Sequence, residues 1–149
     1  MAITRQQKDE SFDYATRLKD AGLVAASAAA QVGGADKILD VGAQRLDARV
    51  ILDFTAIEAA SNDEFYLISI QGSDSSTFAS TTHVNLASQV VGDATKTGEG
   101  LDSTPAARRE MPFCNEINGH IYRYLRIYTF VAGTIATGVN FTANLVKKA

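Results

Sequence analysis

The residues of this chain that could do chemistry are few and scattered. Its two histidines, His83 and His120, lie far apart, and neither has a His or Cys in metal-ligand spacing. A transition-metal site needs clustered ligands, and a metal-binding cupin would show paired histidines on one strand. Cys114 is the single cysteine, which excludes an intramolecular disulfide. A thiol nucleophile needs a base to hold it as thiolate. The histidines offer little support for one, so Cys114 reads as a small buried hydrophobe. Asp53 sits inside an apolar run and reads as the solvated face of a strand. The stretch GSDSS from Gly72 is neither a nucleophile elbow nor a phosphate loop, and GDATKTGEG from Gly92 lacks P-loop spacing. Asn140-Phe141-Thr142 spells a glycosylation triplet, but within a predicted strand it reads as chance. No enzyme, metal or cofactor is expected.

Two residue types remain that could recognise a partner. Arg108 and Arg109 precede Pro112, and Arg123 and Arg126 follow an Asn118-Gly119 pair. The four could converge on one side of a sheet. They are either edge charge that blocks association of strands, or a guanidinium cluster for acidic groups of a partner chain. Tyr122, Tyr124 and Tyr128 alternate with aliphatic residues and would share one face with Arg126 and Phe130. Tyrosine buries a ring while wetting a hydroxyl, which suits a surface that meets another protein.

The elements that would position these groups are strands. Asn118-Gly119 between apolar runs predicts a two-residue hairpin turn, and the run from His120 to Ala132 has neither Pro nor Gly. Its odd positions, from Ile121 through Leu125 to Val131, should meet the core. Upstream, Val50, Leu52, Phe54 and Ala56 alternate with Ile51, Asp53, Thr55 and Ile57, and a hairpin to FYLISIQ from Phe65 is expected. One or two strands follow before Val91, and a long polar loop runs from Gly92 to Ala107. Pro112 marks the RREMPFCNEI strand as an edge or a bulge, because proline cannot donate to a ladder. Val139, Phe141, Ala143 and Leu145 close the sheet from inside.

Residues 1–36 have a different character. Residues 1–22 are polar, with Thr4 and Gln7 in capping-box spacing, so a short helix and an extended arm are equally open. Residues 23–36 are small and punctuated by glycine. The expected organisation is an N-terminal arm over 1–36 and an antiparallel, jelly-roll-like β-sandwich over 37–149. Fourteen Lys and Arg against seventeen Asp and Glu, in 149 residues, leave no broad phosphate-binding field, so nucleic acid is not an expected partner. No run approaches the ~18–20 apolar residues of a membrane span, and the charged N-terminus lacks a secretory apolar stretch. No membrane is expected, and the chain is expected to be made in a reducing cytoplasm.

The succession DAGLVAASAAA, DKILDVGAQRL, ARVILDFTAI and HIYRYLRIYTFVAGTIATGVNFTANLV resembles the cement, or decoration, proteins of short-tailed bacteriophages. Their pattern has an alanine- and serine-rich arm, here Ala25 to Ala30. It has an Ile-x-Asp-x-Gly strand end, here Ile38, Asp40 and Gly42. It has a Tyr-Leu-Arg strand before a Gly-Thr hairpin, here Tyr124, Leu125 and Arg126 with Gly133 and Thr134. The resemblance spans most of residues 20–146. It implies a jelly-roll sandwich, a homo-oligomer with the dimer the expected form, and a virion protein on the outer capsid surface that clamps the major capsid protein. On that basis the intermolecular contacts are expected from Phe12, Tyr14, Leu18, Leu23 and Val24 of the arm, from Arg108 and Arg109, and from Tyr122, Tyr124, Arg126 and Tyr128. Removing residues 1–20 should then weaken capsid binding and leave the sandwich folded. A carbohydrate-binding jelly roll, with tyrosines stacking on sugar rings, is the alternative. An enzyme on a cupin-like barrel is a more distant one.

Overall fold

In the computed structural model, residues 14–61, 63–79, 82–92 and 108–147 are described. The expected residues Thr4, Gln7 and Phe12, and nearly all of the polar loop after Gly92, lie outside them. After one 3-10 turn at Tyr14–Thr16, the described chain is β-structure. The first strands are short: β1 (Arg17–Lys19), β2 (Leu23–Val24), β3 (Ala28–Ala29), β4 (Gln31–Val32), β5 (Ala35–Asp36) and β6 (Leu39–Asp40). Long strands follow: β7 (Asp47–Ile57), β8 (Phe65–Ser73), β9 (His83–Gly92) and β10 (Arg108–Cys114). A small hairpin, β11 (Glu116–Ile117) and β12 (His120–Ile121), leads to β13 (Tyr124–Ala132) and β14 (Val139–Lys147).

All ladders are antiparallel and build two main sheets. One runs β1–β14–β7–β10, with β2 also on β14; the other runs β3–β13–β8–β9, with β6 also on β13. If β1 and β2 count as one strand position, and β3 and β6 as the next, there are eight positions along the chain. The first pairs with the last, the second with the seventh, the third with the sixth and the fourth with the fifth. This wrapped order is a jelly roll. The expected all-β antiparallel sandwich is therefore the observed fold.

The pairing differs from expectation where neighbours in sequence were expected to be neighbours in a sheet. β7 and β8 do not form a hairpin: β7 lies between β14 and β10, and β8 between β13 and β9. The Asn-Gly turn is present, with both Asn118 and Gly119 at positive φ, but its strands are two residues long. Beyond it the chain parts, β10 joining one sheet and β13 the other. In a sandwich most links cross between layers, so hydrophobic alternation marks strands without naming their partners.

Residues 17–40 belong to the roll. Leu18 is fully buried in the core, and β1 and β2 lie along β14 while β3 and β6 lie along β13. A boundary at residue 36 therefore has no counterpart in the pairing. Deleting residues 1–20 would remove Leu18 from between the sheets, a loss of the order of 2–5 kcal/mol for a buried leucine. The expectation that such a truncation leaves the sandwich intact does not survive this placement.

The core fills as the alternation predicts. Val50, Leu52, Phe54, Leu125, Ile127, Val139, Phe141 and Ala143 are at most 2% exposed. Phe54 and Phe141 meet at a 5.3 Å ring separation. Each such large side chain stabilises the fold by about 1.5–3 kcal/mol. The alternation fails at one place. A bulge shifts the β7–β14 register so that Asn140 faces Ala56 while Phe141 faces Phe54, skipping Thr55. Ala56 is therefore exposed, and Ile57 turns to the core instead. Pro112 falls on β10, the edge of its sheet, as a missing N–H requires.

The expected signature strand end at Asp40 is an ion pair. Arg123 grips Asp40 with two hydrogen bonds of 2.8 and 2.9 Å, and the Gly42 N–H donates to the same carboxylate. The guanidinium first, and the Gly42 N–H second, hold this carboxyl down at about 2 from an ordinary 3.8. A carboxylate lowered by folding stabilises fully above its unfolded value and stops doing so as pH falls through the folded value. The stability gap between the wild type and Asp40→Asn should thus shrink toward zero in denaturant melts taken from about pH 5 down to about pH 2. A gap that stays constant over that range would show that the pair contributes nothing.

Candidate docking face

β13 sends Leu125, Ile127 and Thr129 into the core and Tyr124, Arg126, Tyr128 and Phe130 outward. Across the sheet, Arg126 stands opposite Gln71, which stands opposite Asn85; Tyr128 is opposite Ser69, and Ser69 opposite Ser88; Phe130 is opposite Leu67, and Leu67 opposite Val90. The outer face is therefore graded. At one end Arg126 donates to Gln71 at 2.9 Å, and Gln71 donates to Asn85 at 3.0 Å. Next to them the Ser69 and Ser88 hydroxyls bond each other at 2.9 Å. The other end is apolar: Phe130 is 47% exposed, with Phe65 edge-on at 6.4 Å.

Arg126 is held from both sides. Its guanidinium lies 4.4 Å from the ring centre of Phe78 and 5.3 Å from that of Tyr128. Phe78 comes from the loop after β8, adopts a positive φ of 51°, and is only 6% exposed. Burial lowers the Arg126 pKa, with Tyr128 and Asp36 partly opposing.

The arginines do not converge. β10 and β13 belong to opposite sheets. Arg108 closes on Asp53 with bonds of 2.7 and 3.1 Å on the outside of the β14–β7–β10 sheet, and Arg109 follows it half-buried. Arg123 is taken by Asp40. Strand direction explains this: a cluster spanning the turn required one continuous hairpin, and the chain crosses between layers instead. Nor does Tyr122 join the tyrosine row. β12 ends at Ile121 and β13 begins at Tyr124, and Tyr122 packs on Gly72, where an added Cβ would come within 2.8 Å of the Tyr122 Cβ. Its ring meets His120 edge-on at 4.6 Å, and His120 pairs with Asp74 at 2.8 Å.

Of the expected N-terminal contact residues, Leu18 is core and Val24 packs against the core. Tyr14 and Leu23 remain on the surface, 67% and 58% exposed. Beside them the loop between β1 and β4 borders an open cleft of about 460 Å³, lined largely by alanine and glycine. Lys19 reaches its wall, and burial lowers its pKa to about 8, with Asp20 partly opposing. A lysine of that kind could serve as a nucleophile. Here its ammonium donates to the carbonyls of Asp20, Gly22 and Phe141 at 2.9, 3.0 and 2.9 Å, so it ties the loop to β14.

Sequence reasoning missed four residues. Phe78 stands alone in a Ser/Thr-rich loop, and that isolation is the available signal. Asn115, next to a turn, reads as turn polarity. Lys19 sat in a presumed arm. Glu58 accepts from the successive N–H groups of Ala136, Thr137 and Gly138, which lower its pKa, and nothing local in the sequence marks it.

Among the described residues no three or more His, Cys, Asp or Glu side chains gather to hold a metal ion, and no helix is long and apolar enough to cross a membrane. The chain matches no known family model and no curated protein.

Proposed function

We propose that this protein is a structural virion component that docks on the outer capsid surface and clamps neighbouring major capsid protein subunits. The observation that carries the reading is the half-exposed aromatic row of Tyr124, Tyr128 and Phe130 on a rigid jelly-roll sheet. The phage-cement resemblance gives that face its partner. Exposed aromatics on a fixed scaffold suit a protein interface, because rings bury much area at small entropic cost.

A filled head pushes its shell outward. A body that touches two subunits adds its own interfaces to the cost of separating them, and a standard interface buries about 1,600 Å². Each contact can be weak, because binding one subunit raises the effective concentration at the next. Tyr14 and Leu23, two further exposed apolar positions, supply the second contact, and a dimer would double both.

The test is co-sedimentation of the full chain with capsids lacking it. Phe130→Ser should leave the melting transition in place and weaken capsid binding by about tenfold, the loss of one central aromatic anchor. Undiminished binding by that variant would overturn the reading. A carbohydrate-binding module would instead need open polar groups beside the rings. On this face Gln71, Asn85, Ser69 and Ser88 are already bonded to one another or to Arg126. Binding in a glycan screen would favour that alternative.

A further inference from the structure

Arg126 is treated differently from the other described arginines whose pairings are seen. Arg17, Arg45, Arg49, Arg108 and Arg123 each lie within 4 Å of a carboxylate of this chain. Arg126 uses its Nε on Gln71, and its two terminal nitrogens make no hydrogen bond or ion pair with the described residues. Asp36 is near enough to act on it through space but is not paired with it. The guanidinium is half-buried and fixed between two rings, so its planar fork is set before any partner arrives. A carboxylate accepts two parallel N–H bonds from such a fork. Four residues along the same face, about 13 Å away in an extended strand, stands exposed Phe130.

We infer that this face takes a protein segment bearing an Asp or Glu beside an apolar side chain, the carboxylate meeting Arg126 and the apolar group meeting Phe130. Charge complementarity chooses the occupant: a fixed cation in no ion pair with a carboxylate among the described residues, next to exposed apolar surface. The spacing sets the segment's form. An extended stretch running along β13 places the two groups about four residues apart. The inference rests on the docking reading above and adds the chemistry of the partner.

The probe is the peptide acetyl-DSTSL-amide, titrated into the isotope-labelled full chain while the side-chain N–H signals of Arg126 and Gln71 are followed by NMR. Its neutral twin acetyl-NSTSL-amide should bind about tenfold more weakly, the value of one charge-assisted pair. Arg126→Gln should erase the difference between the two peptides, and Phe130→Ser should weaken both alike. Because the peptide pair is compared on the unaltered chain, the result stands even where Arg126→Gln does not fold. Equal binding of both peptides, or binding of neither, overturns the inference. So does a shift of these signals by sialyllactose with none by the acidic peptide. Equal peptide binding combined with capsid binding that still depends on Phe130 would sink the carboxylate alone. Capsid binding indifferent to Phe130 would sink the docking reading instead.

Discussion

Asn115→Ala should lower the unfolding free energy by about 3–4 kcal/mol, a large share of what holds a domain of this size together. The side chain is fully buried. Its Oδ1 accepts from the Leu46 N–H at 2.7 Å, and its Nδ2 donates to the carbonyls of Gln44 and Tyr122, each at 3.1 Å. Its own backbone receives the Tyr122 N–H at 2.8 Å and donates to Leu46 at 3.2 Å. One amide thus joins the approach to β7 with the chain leaving β12, at the corner where β10 and β13 part into different layers. Alanine takes the partner from three backbone groups in part-buried bonds, each loss costing up to about 1–3 kcal/mol. Guanidinium melts of the two proteins measure the loss. A difference below about 1 kcal/mol would mean that water replaces the amide, contrary to its burial.

Gly138→Ala is expected to be of similar severity, about 3 kcal/mol or more, through a steric conflict combined with a backbone one. Gly138 has φ +95°, and a Cβ there would overlap the Val24 carbonyl. The neighbouring loop cannot move aside. Glu58 holds the N–H groups of Ala136 and Thr137 at 2.6–2.9 Å, and the Gly138 carbonyl accepts from the Glu58 N–H. β2 pairs with β14 only through Leu23 and Val24, so the clash strikes its whole ladder. The check is a thermal melt beside Gly119→Ala. Gly119 also has positive φ, at +81°, but nothing lies within 4 Å of its would-be Cβ. The turn variant should lose clearly less stability; equal losses would show that φ alone, and not the close approach to Val24, sets the cost.

The fold class was readable in the residues because period-2 alternation survives over most of β7, β13 and β14. Val50, Leu52 and Phe54, then Val139, Phe141, Ala143 and Leu145, all point inward as their spacing says. What could not be read was which strand pairs with which. β7 and β8 look like a hairpin in sequence, and only the crossing of layers separates them. Leu18 looked like an arm residue because three-residue β1 is too short to show a period. On the candidate face, Tyr124, Arg126 and Tyr128 were found from alternation. Tyr122 was misplaced because the break at 122–123 leaves no mark in a run without Pro or Gly. The separation of Arg108 from Arg126 depends on sheet membership, which is a property of the whole chain.

The pairing of the first strand position with the last also governs how the molecule comes into being. Arg17 faces Asn144, so the ladder that seats Leu18 joins segments far apart along the chain. On the ribosome the early strands wait with no edge to join. Closure waits for β14, and proceeds at the millisecond-to-second pace of topologies dominated by distant contacts. Loss of β1 or of β14 would open the same seam, leaving a strand edge exposed to association with other nascent copies.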